Sequence, residues 1–547
     1  MANGPGVGLM MADQQTLRAI AAAIGASNIA GAAGIAERAL RAGVQHPTLY
    51  NARALWAQRQ GRHQAALDDF NRALSLSPNN PAILSAVGLC LVRLNRPAEA
   101  VAAFDAAIAI EPGFAEHHYL KGWAHDTMAD SAKAKPAYER AVALQPNYPE
   151  ALAALAVIVA RSGDTAGARD LAARALRGDG SEPTAVIALA IADNAERDFG
   201  AAERRLRAAL ASPRTVGQTR AVMLGFLADA LDGQDKIAEA FDAYTSENEE
   251  HRKLYEAAGG GQSRSADLLA QLTEAVAASP AQPAAVPAAS SPSDPRQHVF
   301  LLGFLRSGTT LLEQVLATHP DIVALEERET FAAIAPQFLT DAASLARLAA
   351  LDGTALDAAR QSYWQSVRSH GAEPAGKVFI DKQPLNTFNL PLIAKLFPQA
   401  RIIFALRDPR DVVFSCFRRH FGVNATTYEL LRLDDAARYY AAVMRLAELS
   451  DAKYPLARHT HRYEDMVRDF DGAVRGVCDF IGLEWSDAMR DFSAAARERT
   501  IRSPSAAQVR RKLYDDGVGA WRRYGAQLKP IQPILAPWVA KFGYEPD

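Results

Sequence analysis

The sequence predicts two kinds of structure in series: an all-α superhelix of repeated helical hairpins, then an α/β domain built on a parallel sheet. Three observations predict it. Alanines recur every 34 residues, at Ala66, Ala100, Ala134, Ala168 and Ala202 and again at Ala73, Ala107, Ala141, Ala175 and Ala209. A stretch rich in Pro, Ala and Ser, ASPAQPAAVPAASSPSDP, then interrupts the chain. Directly beyond it an apolar run, His298 to Gly303, enters a glycine-containing turn and a leucine-periodic segment, the order of a strand, a loop and a helix.

The repeat comes first. Phe70, Phe104 and Tyr138 keep the same period, as do Gly88 and Gly122, and Pro78, Pro112 and Pro146. Each unit holds two apolar stripes at helical spacing, separated by a polar break such as Gln60-Gly61-Arg62 or Ser162-Gly163-Asp164. Small alanines permit close helix contact, and a proline near each boundary ends one helix before the next begins. The pattern resembles the tetratricopeptide repeat, with a register from 13 to 250 as seven units. The central three, starting at Pro47, Pro81 and Ala115, match best. Pro136 falls inside a second helix and is expected to kink or shorten it. Stacked units of this kind present a concave face suited to a peptide, to an acceptor or to the neighbouring domain. Residues 251–296 form a short helix, over Ala266 to Ala277, and a Pro/Ala/Ser-rich linker that lacks the large apolar residues of a core.

The third region is 297–547. After the first strand the chain reads Phe304-Leu305-Arg306-Ser307-Gly308-Thr309-Thr310. Backbone amides at such a turn and at the start of the following helix receive a phosphate or sulfate, with Arg306 adding a forked cation and Thr309 and Thr310 adding hydroxyls. The outline is P-loop-like, but Thr309 stands where a nucleotide P-loop has lysine. The run Asp321 to Leu325 ends in Glu326 and Glu327, either of which can take a proton as a base or pair with Arg328. The strand Val378-Phe379-Ile380 leads to Asp381-Lys382-Gln383-Pro384, and the strand Arg401 to Leu406 leads to Arg407-Asp408-Pro409-Arg410-Asp411 and Ser415. Arg410 and Asp411 can form local ion pairs. His319, beside Pro320, reads as a cap, and His420 is a competing base.

Composition limits the function. The 547 residues are 49% hydrophobic and 22% charged, and 60 basic against 62 acidic side chains give a net charge of −2. Such a balance gives no support to nucleic-acid binding. No stretch reaches the roughly 18 to 20 apolar residues of a membrane span. The start, MANGPGVGLMMADQQ, lacks the pattern of a secretory signal, and Cys90, Cys416 and Cys478 have neither zinc nor disulfide spacing. The expected location is the cytoplasm.

Taken in order, these segments resemble the sulfotransferases that use 3'-phosphoadenosine 5'-phosphosulfate (PAPS), in particular bacterial members carrying tetratricopeptide repeats, with a catalytic domain similar to tyrosylprotein sulfotransferases. The resemblance implies a donor loop of Arg306, Ser307, Gly308, Thr309 and Thr310, although Leu305 replaces the usual proline. It makes Glu327 the general base and Lys382 the catalytic lysine, with Glu326 orienting a neighbour. It assigns Arg407 and Ser415 to the donor's 3'-phosphate and places Tyr463, in Arg462-Tyr463-Glu464-Asp465, near the nucleotide. In the segment SPSAAQVRRKLYDDGVGAWRRY it puts Ser505 beside the phosphosulfate, with Arg510, Arg511 and Lys512 offering positive charge. Trp521 anchors the terminal helix. PAPS is then the co-substrate, no metal is expected, and the acceptor is an unidentified hydroxyl, a protein tyrosine being one candidate. Two other functions stay open: a P-loop nucleotide phosphotransferase or hydrolase, and a non-catalytic repeat scaffold.

Overall fold

A computed structural model describes residues 14–178, 180, 182–262, 264–281, 294–419, 421–498, 513 and 517–546. The chain forms two compact units, Met1–Ser212 and Pro213–Asp547. The first is a tetratricopeptide-like array and the second contains an α/β domain with a parallel sheet.

In the first unit the described helices are α1 Gln14–Gly25, α2 Ile29–Arg41, α3 Pro47–Arg59, α4 His63–Leu76, α5 Pro81–Arg93, α6 Pro97–Ile110, α7 Ala115–Thr127, α8 Ser131–Leu144, α9 Pro149–Arg161, α10 Thr165–Gly178, α11 Pro183–Ala195 and α12 Phe199–Leu210. Their period has a steric origin. Ala66, Ala100, Ala134, Ala168 and Ala202 are fully buried at helix contacts, and Phe70, Phe104 and Tyr138 fill the space between helices. A Cβ on Gly88 would meet the Phe104 ring at 2.5 Å, and one on Gly122 would meet the Tyr138 ring at 2.7 Å. Glycine therefore recurs with the aromatic it faces.

The turns repeat as well. Ser27, Gly61, Asn95, Ala129, Gly163 and Arg197, each 34 residues beyond the last, all have left-handed backbone. At five of them the next amide reaches back to close the preceding helix, as in Arg96 N to Leu91 O at 2.8 Å and Asp198 N to Asp193 O at 2.9 Å. Pro136 does not shorten its helix. It is the sixth residue of α8, which keeps the 14 residues of α4 and α6, and the ring forfeits one amide bond.

The second unit opens with the hairpin α13 Gly217–Asp232 and α14 Ile237–Ala257, followed by α15 Ser265–Ala278. Its strands are β1 Gln297–Gly303, β2 Ile322–Glu326, β3 Val378–Lys382, β4 Arg401–Leu406 and β5 Ala457–Arg462, with α16 Thr309–Leu316 after β1. All pairs are parallel and the order is β2-β3-β1-β4-β5. Alternation along β1 separates two cores. Val299 and Leu301 pack with Leu312, Val315 and Leu316 of α16 and with Val474, Val477 and Cys478 of helix Phe470–Ile481. His298 and Phe300 face the other way, into Phe331, Tyr363, Trp364 and Phe397. Because the strands are parallel, all five carboxyl ends open on one edge, with β1 at the point where the strand order reverses.

Candidate functional site

Each strand delivers one sequence-selected residue to that edge: Arg306 after β1, Glu327 after β2, Lys382 at the end of β3, Arg407 after β4 and Tyr463 after β5. The turn after β1 needs its glycines. Gly303 has φ 153° and a Cβ there would lie 2.6 Å from the Ala405 carbonyl oxygen. Gly308, the N-cap of α16, has φ 91°, and its Cβ would lie 2.8 Å from the Tyr463 ring. Among the described non-glycine residues outside the helical-hairpin turns, left-handed backbone occurs at Arg306 (φ 68°) and Glu327 (φ 44°). Such a conformation costs roughly 1–3 kcal/mol, so packing holds these two residues in place.

One half of the site is cationic. Arg306 Nε donates to Ser415 Oγ at 3.1 Å, and Arg407 Nη1 donates to the Arg306 carbonyl at 3.2 Å. Arg407 Nη2 donates to the Gly517 carbonyl, and the guanidinium lies over the Tyr463 ring, 4.9 Å from its centroid. Arg407 is buried, and its Nε has no hydrogen-bond partner among the described residues. Gly308 supplies no side-chain cap to α16, whose first residues, Thr309 and Thr310, are buried with Ser307 around the turn. An unpaired buried guanidinium nitrogen beside an uncapped helix start fits an anion. The structure thus joins Arg306, Ser307, Gly308, Thr309, Thr310, Arg407, Ser415 and Tyr463 in one place.

The other half is built on a buried lysine. Lys382 is fully buried, and its Nζ donates to Glu327 Oε1 at 2.7 Å. The backbone ties the same pair, through Glu327 N to Lys382 O at 2.7 Å. Nζ also lies 3.1 Å from Glu313 Oε2 and 3.7 Å from Glu326 Oε1. Burial alone would lower the lysine's pKa, but Glu313, Glu327 and Glu326 outweigh it and raise it. Glu313 is pushed up to about 7, chiefly by burial, against the pull of Lys382.

Asp381, next in the chain, points to the opposite core. Its Oδ2 accepts from Tyr363 OH and from Thr330 Oγ1, both at 2.8 Å, and Tyr363 OH meets His298 Nε2 at 2.9 Å. Thr330 lies three residues beyond Glu327, so this buried chain pins the loop that carries the glutamate. Burial raises Asp381 to about 7 and holds His298 down at about 3.

Sequence reasoning missed Glu313 and Asp381, and gave Asp411 only a local ion pair. Glu313 shares the inward face of α16 with Leu312 and Leu316, a position where a charge needs a partner. Asp411 accepts from the amides of Gly519 (2.7 Å) and Trp521 (2.9 Å), tethering the segment whose Gly517 carbonyl meets Arg407. Arg410 pairs locally with Asp408 at 2.8 Å and lies 4.0 Å over Trp521, which is buried as an anchor. His319 Nδ1 accepts from the Asp321 amide at 3.0 Å, a capping role. Ser505, Arg510, Arg511, Lys512 and His420 lie outside the described residues. Among the described residues no group of His, Cys, Asp and Glu could hold a metal, and no helix is long and apolar enough to cross a membrane.

Comparison with known proteins agrees with this division. Residues 298–487 match the sulfotransferase family, and residues 17–81, 57–124 and 119–183 match tetratricopeptide repeats. The chain joins tetratricopeptide repeats to a sulfotransferase-like domain. An uncharacterized protein of Aquifex aeolicus is 26% identical over 257 residues, which are 44% of this chain and 32% of that protein. Protein-tyrosine sulfotransferase 1 of Danio rerio is 25% identical over 263 residues, 45% of this chain and 72% of the relative. The human protein of that name is 25% identical over 264 residues, 45% and 70% respectively. The sulfotransferase-like domain is therefore a distant relative of the tyrosylprotein enzymes, and the chain spans about a third of the length of the Aquifex protein.

Proposed function

We propose that the sulfotransferase-like domain transfers a sulfuryl group from PAPS to a hydroxyl acceptor. The observation that carries this reading is the Lys382–Glu327 pair, a buried cation holding a carboxylate, at the strand edge shared with the Arg306 and Arg407 anion site. In this reading Glu327 takes the acceptor's proton while the acceptor oxygen forms a bond to sulfur. The bond from sulfur to the bridging oxygen breaks, and its electron pair stays on the departing 5'-phosphate. Lys382 and Arg306 stabilise the charge that develops there, a role in which fixed cations out of water are most effective.

Arg407 and Ser415 hold the 3'-phosphate and Tyr463 lies against the nucleotide. Ser505, Arg510, Arg511 and Lys512 add a hydroxyl and positive charge to the donor site. A 3'-phosphate site separates PAPS from ATP, and Thr309 removes the lysine on which nucleotide hydrolysis relies. The acceptor is a hydroxyl compound, protein tyrosine among the candidates, and the repeats are its proposed docking surface. Three buried free cysteines suit the cytoplasm as the proposed location.

A pair of variants tests the roles. Glu327→Gln is expected to lower turnover by about a hundredfold or more and leave the affinity for adenosine 3',5'-bisphosphate nearly unchanged. Arg407→Ala is expected to weaken that affinity most. The reverse pattern would overturn the assignment.

A further inference from the structure

Lys382 has more anionic partners than the transfer reaction uses. Glu327 is the base and Glu326 borders it, but Glu313 reaches the ammonium from α16, beneath the sheet edge, and is itself only 2% exposed. Its Oε2 lies 3.1 Å from Nζ without an aligned hydrogen bond, and that oxygen has no other partner among the described residues. One ammonium therefore faces three carboxylates, Glu313 buried and Glu326 and Glu327 partly exposed, and a negative charge on the buried one is opposed by desolvation.

The elements packed against α16 on its core face are apolar there. β1 contributes Val299 and Leu301, and the segments Asp487–Asp491 and Phe492–Glu498 contribute Met489 and Phe492. Among the described side chains of those segments, Asp487, Arg490 and Asp491 are exposed. On β3, Asp381 faces the opposite core. The charged groups that act on Glu313 are thus Lys382, Glu326 and Glu327, and burial raises this carboxyl to about 7.

We propose that Glu313 is a positioning residue for Lys382, and that its ionisation sets how much of the ammonium's charge is left for the anionic donor. Protonated, Glu313 leaves Lys382 free to face a phosphate. Ionised, it draws the ammonium back into the protein. The inference rests on the sulfuryl-transfer reading of the site and adds to it a control of donor affinity by pH.

The test is calorimetric titration of the full-length wild type, Glu313→Gln and Glu313→Met with adenosine 3',5'-bisphosphate from pH 6 to pH 8. The ligand's own phosphate titration is common to all three proteins and cancels in their ratio. At pH 6 the affinities should agree. At pH 8 the variants should bind about tenfold more tightly than the wild type, the effect of removing one nearby buried charge. Glu313→Met fills the same space without a polar group, so a Gln variant that fails to fold does not remove the test. A ratio that stays constant with pH would overturn the role of Glu313 while leaving the donor reading intact. Absence of binding by every protein at every pH would sink the donor reading and this inference with it.

Discussion

Asp381→Asn isolates a buried carboxyl group that supports the site from behind. Burial raises Asp381 from its ordinary 3.8 to about 7. Between those values the folded protein holds a proton that the unfolded chain has released. The group's stabilising contribution is complete below pH 3.8 and is lost as pH rises through about 7. That interval, at ~1.4 kcal/mol per pH unit, corresponds to about 4 kcal/mol. His298 acts in the opposite sense. Burial holds it at about 3 against an ordinary 6.5, so its contribution is complete above pH 6.5 and is lost as pH falls towards 3. In the wild type the two slopes oppose each other across mildly acidic pH. The asparagine variant lacks the first of them. The destabilisation caused by Asp381→Asn should therefore shrink by about 3 kcal/mol between pH 5 and pH 8. Urea unfolding followed by tryptophan fluorescence measures it, since Trp364 lies 4.9 Å from the His298 ring. A cost that is the same at pH 5 and pH 8 would refute the reasoning, because it would mean that Asp381 is already ionised in the fold at pH 5.

Other substitutions test single contacts. Gly308→Ala adds a Cβ 2.8 Å from the Tyr463 ring at φ 91°; it should lower stability by about 1–3 kcal/mol and weaken adenosine 3',5'-bisphosphate binding, as read by thermal melting and calorimetry. Gly88→Val drives a branched side chain into the Phe104 ring and should cost the repeat array about 1–3 kcal/mol, measured by melting of the helical circular dichroism signal. Asp232→Ala removes the acceptor of Tyr524 OH (2.7 Å) and the counter-ion of Arg418 (3.4 Å) and Arg523 (2.8 Å). A loss of about 2 kcal/mol is expected in urea unfolding.

The repeats were legible because their period is steric. Ala66 and its equivalents, Phe104 against Gly88 and Tyr138 against Gly122 are contacts that recur with the geometry. The left-handed turn position was hidden, because Ser27, Asn95, Ala129 and Arg197 share a backbone conformation and no side-chain chemistry. Period also carries no information about which core a helical pair joins. The α13–α14 hairpin meets the rest of the second unit through contacts far apart in the chain, among them Asn248 Nδ2 to the Phe417 carbonyl at 2.8 Å, the Phe241 ring stacked on Phe417, and Asp232 with Arg418 and Tyr524.

The candidate site was legible where a strand ends in a charged residue, as at Lys382 and Arg407, because an apolar run followed by a cation marks the carboxyl edge of a buried sheet. Glu313 and Asp381 were not legible on the same grounds. Each sits inside an element, and its importance comes from a partner far along the chain: Lys382 for Glu313, and Thr330 and Tyr363 for Asp381. Burial, which gives both carboxylates their raised pKa values, is a property of the assembled sheet.

The central claim is that this site handles phosphosulfate, and labelled donors address it directly. Full-length protein incubated with PAPS labelled in sulfur, in an extract able to supply the acceptor, should move label into an acceptor molecule, and Glu327→Gln should abolish most of that transfer. Label that stays on the donor with the wild type, together with transfer or release of the γ-phosphate from ATP in a parallel reaction, would contradict the account.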